Sequence, residues 1–204
     1  MKYFTPEEWA AWQEPGYRAP PPEQEPAVLY RHQLEGLRSR LPARAWTFFA
    51  SADVHDGSLL SFVVREGDDH APVAGLRVGK RRRRYPVSAV LRVREGNSTI
   101  VWEVEYLRCR RALIDFPGVE LFHEDGDGFG DWGYDELSDA GAEFLRHEIL
   151  FASGTSLLVE FLTVKVRRLR PAESRSPARD VARRIAPAAP APVTLSGHRR
   201  RRKL

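Results

Sequence analysis

The stretch VSAVLRVREGNSTIVWEVEYL, residues 87–107, decides the fold class. Val87, Ala89, Leu91 and Val93 recur at every second position, and so do Ile100, Trp102, Val104 and Tyr106. That period of two is the pattern of half-buried β-strands, reinforced by β-branched and aromatic residues. Glu95-Gly96-Asn97-Ser98 is a gap of turn length, so 87–94 and 99–107 are predicted to form a hairpin. The pairing must be antiparallel, because so short a connection cannot make a parallel crossover.

Working outward, Leu60 to Val64 reads as a further strand. A second hairpin is predicted from 144–151 and 156–165 around Ala152-Ser153-Gly154-Thr155. Upstream the period changes. Thr5-Pro6-Glu7-Glu8 is a helix start, in which Thr5 accepts from the Glu8 amide, Pro6 suits the first helical position and Glu8 reaches back. This helix should run to about Gln13 and stop at Pro15-Gly16, with Trp9 and Trp12 on one face to dock it. Pro20, Pro21, Pro22 and Pro26 then force an extended linker. Tyr30, Leu34, Leu37 and Leu41 lie at helical spacing over 27–41, and Pro42 opens a short helix through about Ala50 with Trp46 and Phe49 on one face. The expected fold is α+β: short N-terminal helices packed on a mainly antiparallel β-sheet, followed by a disordered basic C-terminal tail. The expected divisions are 1–14 (N-terminal helix), 15–26 (proline-rich linker), 27–170 (α+β body) and 171–204 (tail).

Charge separates these regions. Residues 1–170 carry 23 Lys plus Arg against 26 Asp plus Glu, net −3, whereas 171–204 carry 9 against 2, net +7. In the tail, Pro171, Pro177, Pro187, Pro190 and Pro192 are spread among Ala, Arg and Ser without an aromatic residue. Such a composition buries too little apolar surface to offset the entropy of ordering, which predicts an extended spacer with a cationic end. The single cysteine, Cys109, excludes an intramolecular disulfide. Met1 to Trp12 lacks the apolar run of a signal peptide, and no segment approaches the ~20 apolar residues of a membrane helix. The expected location is the cytoplasm, with no membrane contact.

Several constellations carry possible chemistry. Between Asp125 and Glu136 the chain supplies Asp125, Asp127, Gly130 and Glu136 at the spacing of a calcium loop, but Phe129 occupies the third oxygen position. The flanking residues look strand-like where helices are required, so a solvated acidic turn is favoured. The residual alternative is a divalent cation held by Asp125, Asp127, Asp131 and Glu136, serving a metal-assisted hydrolase built on loop 124–136. His55-Asp56 has the residue types of a general-base pair, but Asp56-Gly57 reads as a turn ahead of a strand. Cys109 lies among Arg108, Arg110 and Arg111, which would favour a thiolate, while its place at a strand end favours a small buried hydrophobe. The six histidines and one cysteine show no zinc spacing, and neither a P-loop nor a strand-linked dinucleotide motif occurs. No cofactor is expected beyond that cation. Two basic runs, Lys80-Arg81-Arg82-Arg83-Arg84 and Arg199-Arg200-Arg201-Arg202-Lys203, are candidate contacts for nucleic acid or an acidic partner.

Tyr3-Phe4-Thr5-Pro6-Glu7 with Trp9, Leu41-Pro42, His55-Asp56, Trp132-Gly133-Tyr134-Asp135-Glu136 and His147-Glu148-Ile149-Leu150-Phe151 with Gly154 together resemble a bacterial domain family of unassigned function. The resemblance covers roughly residues 1–168 and implies no site. His55-Asp56 entering a strand is also loosely similar to β-rich immunity proteins of toxin systems. Without a catalytic constellation, the expectation is a non-catalytic intracellular module that engages an unidentified protein partner through its body, while its basic tail adds nonspecific nucleic-acid or acidic-partner contact.

Overall fold

The computed structural model describes residues 1–66, 87–116 and 128–170. Three helices, α1 (Pro6–Trp12), α2 (Pro26–Gly36) and α3 (Ala43–Ser51), precede an eight-stranded antiparallel sheet. Its strands are β1 (Gly57–Glu66), β2 (Val87–Arg94), β3 (Val101–Leu107), β4 (Arg111–Asp115), β5 (Asp131–Gly141), β6 (Phe144–Phe151), β7 (Ser156–Phe161) and β8 (Thr163–Leu169). This is the α+β architecture expected, and no described helix is long and apolar enough to cross a membrane.

The deciding hairpin forms as read. β2 pairs with β3 from Ser88 opposite Leu107 to Arg94 opposite Val101, and Ala89, Leu91, Val93, Val104 and Tyr106 all enter the core. At the N-terminus, the Thr5 hydroxyl accepts a bond from the Glu8 amide at 3.2 Å and Pro6 opens α1, which ends at Trp12. The proline-rich stretch after it contains one 3-10 turn, Pro22–Gln24. The helix predicted over 27–41 ends earlier, at Gly36, whose poor helix propensity lets the chain tighten into a 3-10 turn at Arg38–Arg40. Leu34, Leu37 and Leu41 are nevertheless buried in one cluster with Ala45, Phe48 and Phe49 of α3.

Two sequence readings are corrected. The acidic stretch read as a loop to Glu136 becomes strand from Asp131 onward, because Trp132 and Leu137 enter the core and its carboxylates find partners. The single strand expected over 156–165 is two strands, divided at Leu162. Inward positions are Leu157, Val159 and Phe161 before the break but Val164 and Val166 after it, so the face exchanges parity. β4 lies in a segment for which no strand was expected.

The sheet order, β4-β7-β6-β5-β1-β2-β3-β8, places β7 and β8 near opposite ends although only Leu162 separates them. β3 and β4 are likewise successive, and β3 pairs with β8 while β4 pairs with β7. The amide of Leu162 donates to the Leu107 carbonyl at 3.1 Å, and that of Arg110 to the Glu160 carbonyl at 2.9 Å, which carries the pairing through the bend. The two long bent strands thus form one ribbon that links the two ends of the sheet and curls it on itself, while β4 and β8 remain its end strands. Among the described residues the sparsest junction is between β1 and β5, which share two register pairs, Gly57 with Trp132 and Ser58 with Asp131. α2 and α3 pack against the inward face: Phe49 meets His147 edge-on at 5.0 Å between ring centres, and Phe48 meets Trp102 at 5.6 Å. α1 lies on the outer face of β5, with Trp9 buried against Gly133 and Tyr134.

Candidate functional site

The structure places the sequence candidates as follows. Asp131 opens β5 and is exposed. Glu136 is buried on the outer face of the same strand, where one carboxylate oxygen accepts from the Tyr3 and Phe4 amides at 2.6 and 2.7 Å and the other from the Lys2 amide at 2.7 Å. Directly opposite it, Glu148 of β6 holds the Met1 ammonium at 2.9 Å. Two carboxylates facing each other would repel; here they are bridged by the first four residues, whose amides and terminal charge pin the segment down. Asp125, Asp127, Lys80, Arg81, Arg82, Arg83, Arg84, Arg199, Arg200, Arg201, Arg202 and Lys203 lie outside the described residues. Among the described residues, no group of three or more His, Cys, Asp or Glu side chains is placed to hold a metal.

His55 and Asp56 do come together, Nδ1 to Oδ1 at 3.1 Å, because Asp56 adopts a left-handed φ of 57° in the turn before β1. The pair is about half exposed, and the His55 ring rests edge-on against Tyr134. Cys109 follows the bend after β3, and its Sγ donates to the Tyr106 carbonyl at 3.5 Å. Burial pushes its thiol up to about 11 despite the neighbouring arginines, which favours the protonated thiol over the thiolate near neutrality.

One polar arrangement had no counterpart in the sequence reading. His147, fully buried on β6, has Nδ1 2.7 Å from the Tyr106 hydroxyl and Nε2 3.0 Å from Asp135 Oδ2; Trp132 Nε1 donates to the other Asp135 oxygen at 3.1 Å. Tyr106, His147, Asp135 and Trp132 so form one continuous hydrogen-bonded chain. Burial and the Asp135 charge hold the Tyr106 phenol well above its ordinary value, which keeps it a donor. The chain is closed: every member has a partner, and Phe49 and Trp132 pack around the imidazole. It links β3, β5 and β6 across the interior and is a structural device rather than an open catalytic site.

The accessible feature is a groove of about 470 Å³ where the start of α3 meets β8. Pro42, Ala43 and Ala45 line it from the helix side and Val164 and Val166 from β8, with the charged Arg44, Lys165, Arg167, Glu103 and Glu105 around them. β8 terminates the sheet and, among the described residues, has a strand neighbour on one side only. An end strand of this kind presents a row of outward backbone N–H and C=O groups. The rim is held by a cross-strand ladder in which Glu103 accepts from Arg92 of β2 at 2.8 Å and from Arg167 of β8 at 2.7 Å. Burial alone would raise the Glu103 pKa, but the two guanidinium hydrogen bonds prevail and hold it below the usual carboxylate value. A second depression of about 360 Å³, lined by Arg44, Thr47, Trp102 and Arg168, shares Arg44, Val166 and Arg167 with the first and extends it along β8.

Together these features define a class: a curled antiparallel sheet with N-terminal helices packed on it, whose end strand β8 has, among the described residues, a strand neighbour on one side only and borders a groove with a charged rim. Compared with protein-family models, curated proteins and solved structures, the chain has no match in any of the three.

Proposed function

We propose that this protein is a non-catalytic interaction module that takes an extended segment of a partner protein alongside β8, in the groove under α3. The observation that carries the reading is the coincidence of the end strand with the groove: the strand edge offers main-chain hydrogen bonds where the cavity offers room for side chains. In strand addition of this kind the main chain supplies affinity, and pockets for alternate side chains supply selectivity. The rim carries both signs, Lys165 and Arg167 on β8 and Glu103 and Glu105 on β3, which suits a segment of mixed charge, and the apolar wall at Pro42 and Ala43 suits one with aliphatic residues at every second position. The basic runs at 80–84 and 199–203 add electrostatic contact to nucleic acid or an acidic partner; five phosphate contacts would give a slope of log K against log salt of about −4.5.

The test is selection from a display library of random twelve-residue peptides, run in parallel on the wild-type protein and on Ala43→Arg. Ala43 is exposed at the first turn of α3, so an arginine there fills the groove without entering the core. Enriched peptides should alternate aliphatic and charged residues and bind the variant at least tenfold more weakly. No enrichment, or equal binding to Ala43→Arg, would refute the reading.

A further inference from the structure

Sharing no residue with the β8 groove, a cavity of about 300 Å³ opens between the N-terminal segment, the proline-rich stretch and β5. Four aromatic rings line it: Phe4, Trp12, Tyr17 and Tyr134. Phe4 stacks on Tyr134 with ring centres 4.9 Å apart and planes 13° apart. Trp12 stands nearly perpendicular to both, at 71° to Phe4 and 73° to Tyr134. Phe4 and Tyr134 cover one face of each other, and with Trp12 and Tyr17 they give the cavity an aromatic wall, whose uncovered ring faces are electron-rich.

The cavity also has a charge. Glu25 lines it from the position just before α2, and its side chain accepts nothing from the helix it precedes. Among the described residues its carboxylate enters no ion pair or hydrogen bond, and only its backbone is bonded, to Pro22, Val28 and Leu29. α2 begins with Pro26, so one amide that would have given the helix start positive character is missing there. The full charge of a carboxylate outweighs the ~+0.5 of a helix N-terminus. An apolar ligand would satisfy the rings and leave Glu25 unused, whereas an anion would be repelled by Glu25 and by the ring faces. A bulky, weakly hydrated cation satisfies both, because ring quadrupoles attract it and desolvating it costs less than desolvating a primary ammonium.

We infer that the Phe4, Trp12, Tyr17, Tyr134 and Glu25 cavity is a binding site for an alkylated ammonium group. Such a group occurs on a free small molecule and on a methylated lysine side chain, and the same cage suits both. Affinity comes from the rings, and the preference for charge over shape comes from Glu25.

The test is a titration of the full chain at constant ionic strength, followed by tryptophan fluorescence. Choline and its uncharged isostere 3,3-dimethylbutan-1-ol are compared. Choline should saturate the signal and bind at least tenfold more tightly than the isostere, because the rings attract only the charged ligand. Glu25→Gln and Tyr17→Ala, both at exposed positions, should each weaken choline at least threefold while leaving the melting temperature unchanged. A parallel titration with N-acetyl-trimethyllysine amide separates the sources: tighter binding than choline assigns the site to a modified side chain, and weaker binding to a free cation. Equal binding of choline and the isostere, or an unchanged choline affinity in Glu25→Gln, would overturn the proposal.

Discussion

Glu160 shows how a single residue of this sheet is held. It is buried on the outer face of β7, where its carboxylate accepts from Arg110 Nε at 2.7 Å and from Arg146 Nε and Nη2 at 3.0 and 2.7 Å. Burial by itself would raise its pKa, but the two guanidinium partners outweigh it and hold the group below its ordinary value of 4.5. A carboxyl whose folded pKa is depressed contributes stability above its unfolded pKa and loses it as pH falls through the folded one. Glu160→Gln should therefore cost about 1.5–3 kcal/mol near neutral pH, the range for hydrogen bonds to charged groups. The gap from wild type should narrow as pH drops below about 4.5. Thermal unfolding of both proteins at pH 7, 5, 4 and 3 reads this directly, and a gap that stays constant over the series would contradict it. Residues of this sort are invisible in a sequence. Arg110, Arg146 and Glu160 lie on three separate segments, and only the β6–β7 and β4–β7 registers assemble them. The same holds for His147: nothing in HEILF marks it as the centre of a relay, because Tyr106 and Asp135 reach it from other strands.

At the scale of elements, what could be read was whatever local chemistry fixes. Helix α1 was legible because Thr5, Pro6 and the Trp9/Trp12 spacing act within a few residues, and the β2–β3 hairpin because alternation and a four-residue turn are equally local. β5 was missed for the opposite reason. Its acidic residues count against a strand until their partners are known, and those partners are the amides of residues 2–4 for Glu136 and the side chains of His147 and Trp132 for Asp135. The β7–β8 break did leave a signal, the change of parity between Phe161 and Val164. The β8 groove was not legible at all, since it depends on which strand ends the sheet. The docking of α1 on β5 makes its own prediction. A Cβ on Gly133 would fall inside contact distance of the Trp9 ring and 3.0 Å from the Leu150 carbonyl. Gly133→Ala should thus displace Trp9 and loosen α1, at a cost of about 1–3 kcal/mol typical of overpacking. Tryptophan emission should shift to the red, and choline binding at the neighbouring cavity should weaken with it. Unchanged emission would mean that α1 is not held by that contact.

The whole body depends on how its curled sheet is held together. At one place the β3–β4 and β7–β8 ribbon is paired along its length, through the bend, by hydrogen bonds on both sides of Leu162. At the β1–β5 seam, among the described residues, the pairing comprises two register pairs and the bond from the Asp56 amide to the Trp132 carbonyl at 2.9 Å. Opening should therefore begin at the seam, since local opening follows the fewest and least protected contacts. Gly57 is the residue on which this can be tested, because its backbone is squeezed between strands. A Cβ there would lie 2.5 Å from both the Arg94 and Val54 carbonyl oxygens, with backbone on either side and no flexible side chain to yield. Gly57→Ala must push β1 away from β2 or from the turn behind it, and either movement strains the pairing with Trp132. The expected loss is about 1–3 kcal/mol, a fall in Tm of roughly 2–12 °C at the 2–4 °C per kcal/mol of a domain this size. Hydrogen exchange should quicken first at the amides of residues 56–58 and 131–132, while those of 104–107 and 163–166 in the ribbon keep their wild-type rates. If the ribbon amides accelerate in step with the seam, the sheet opens as one cooperative unit and the seam has no separate stability.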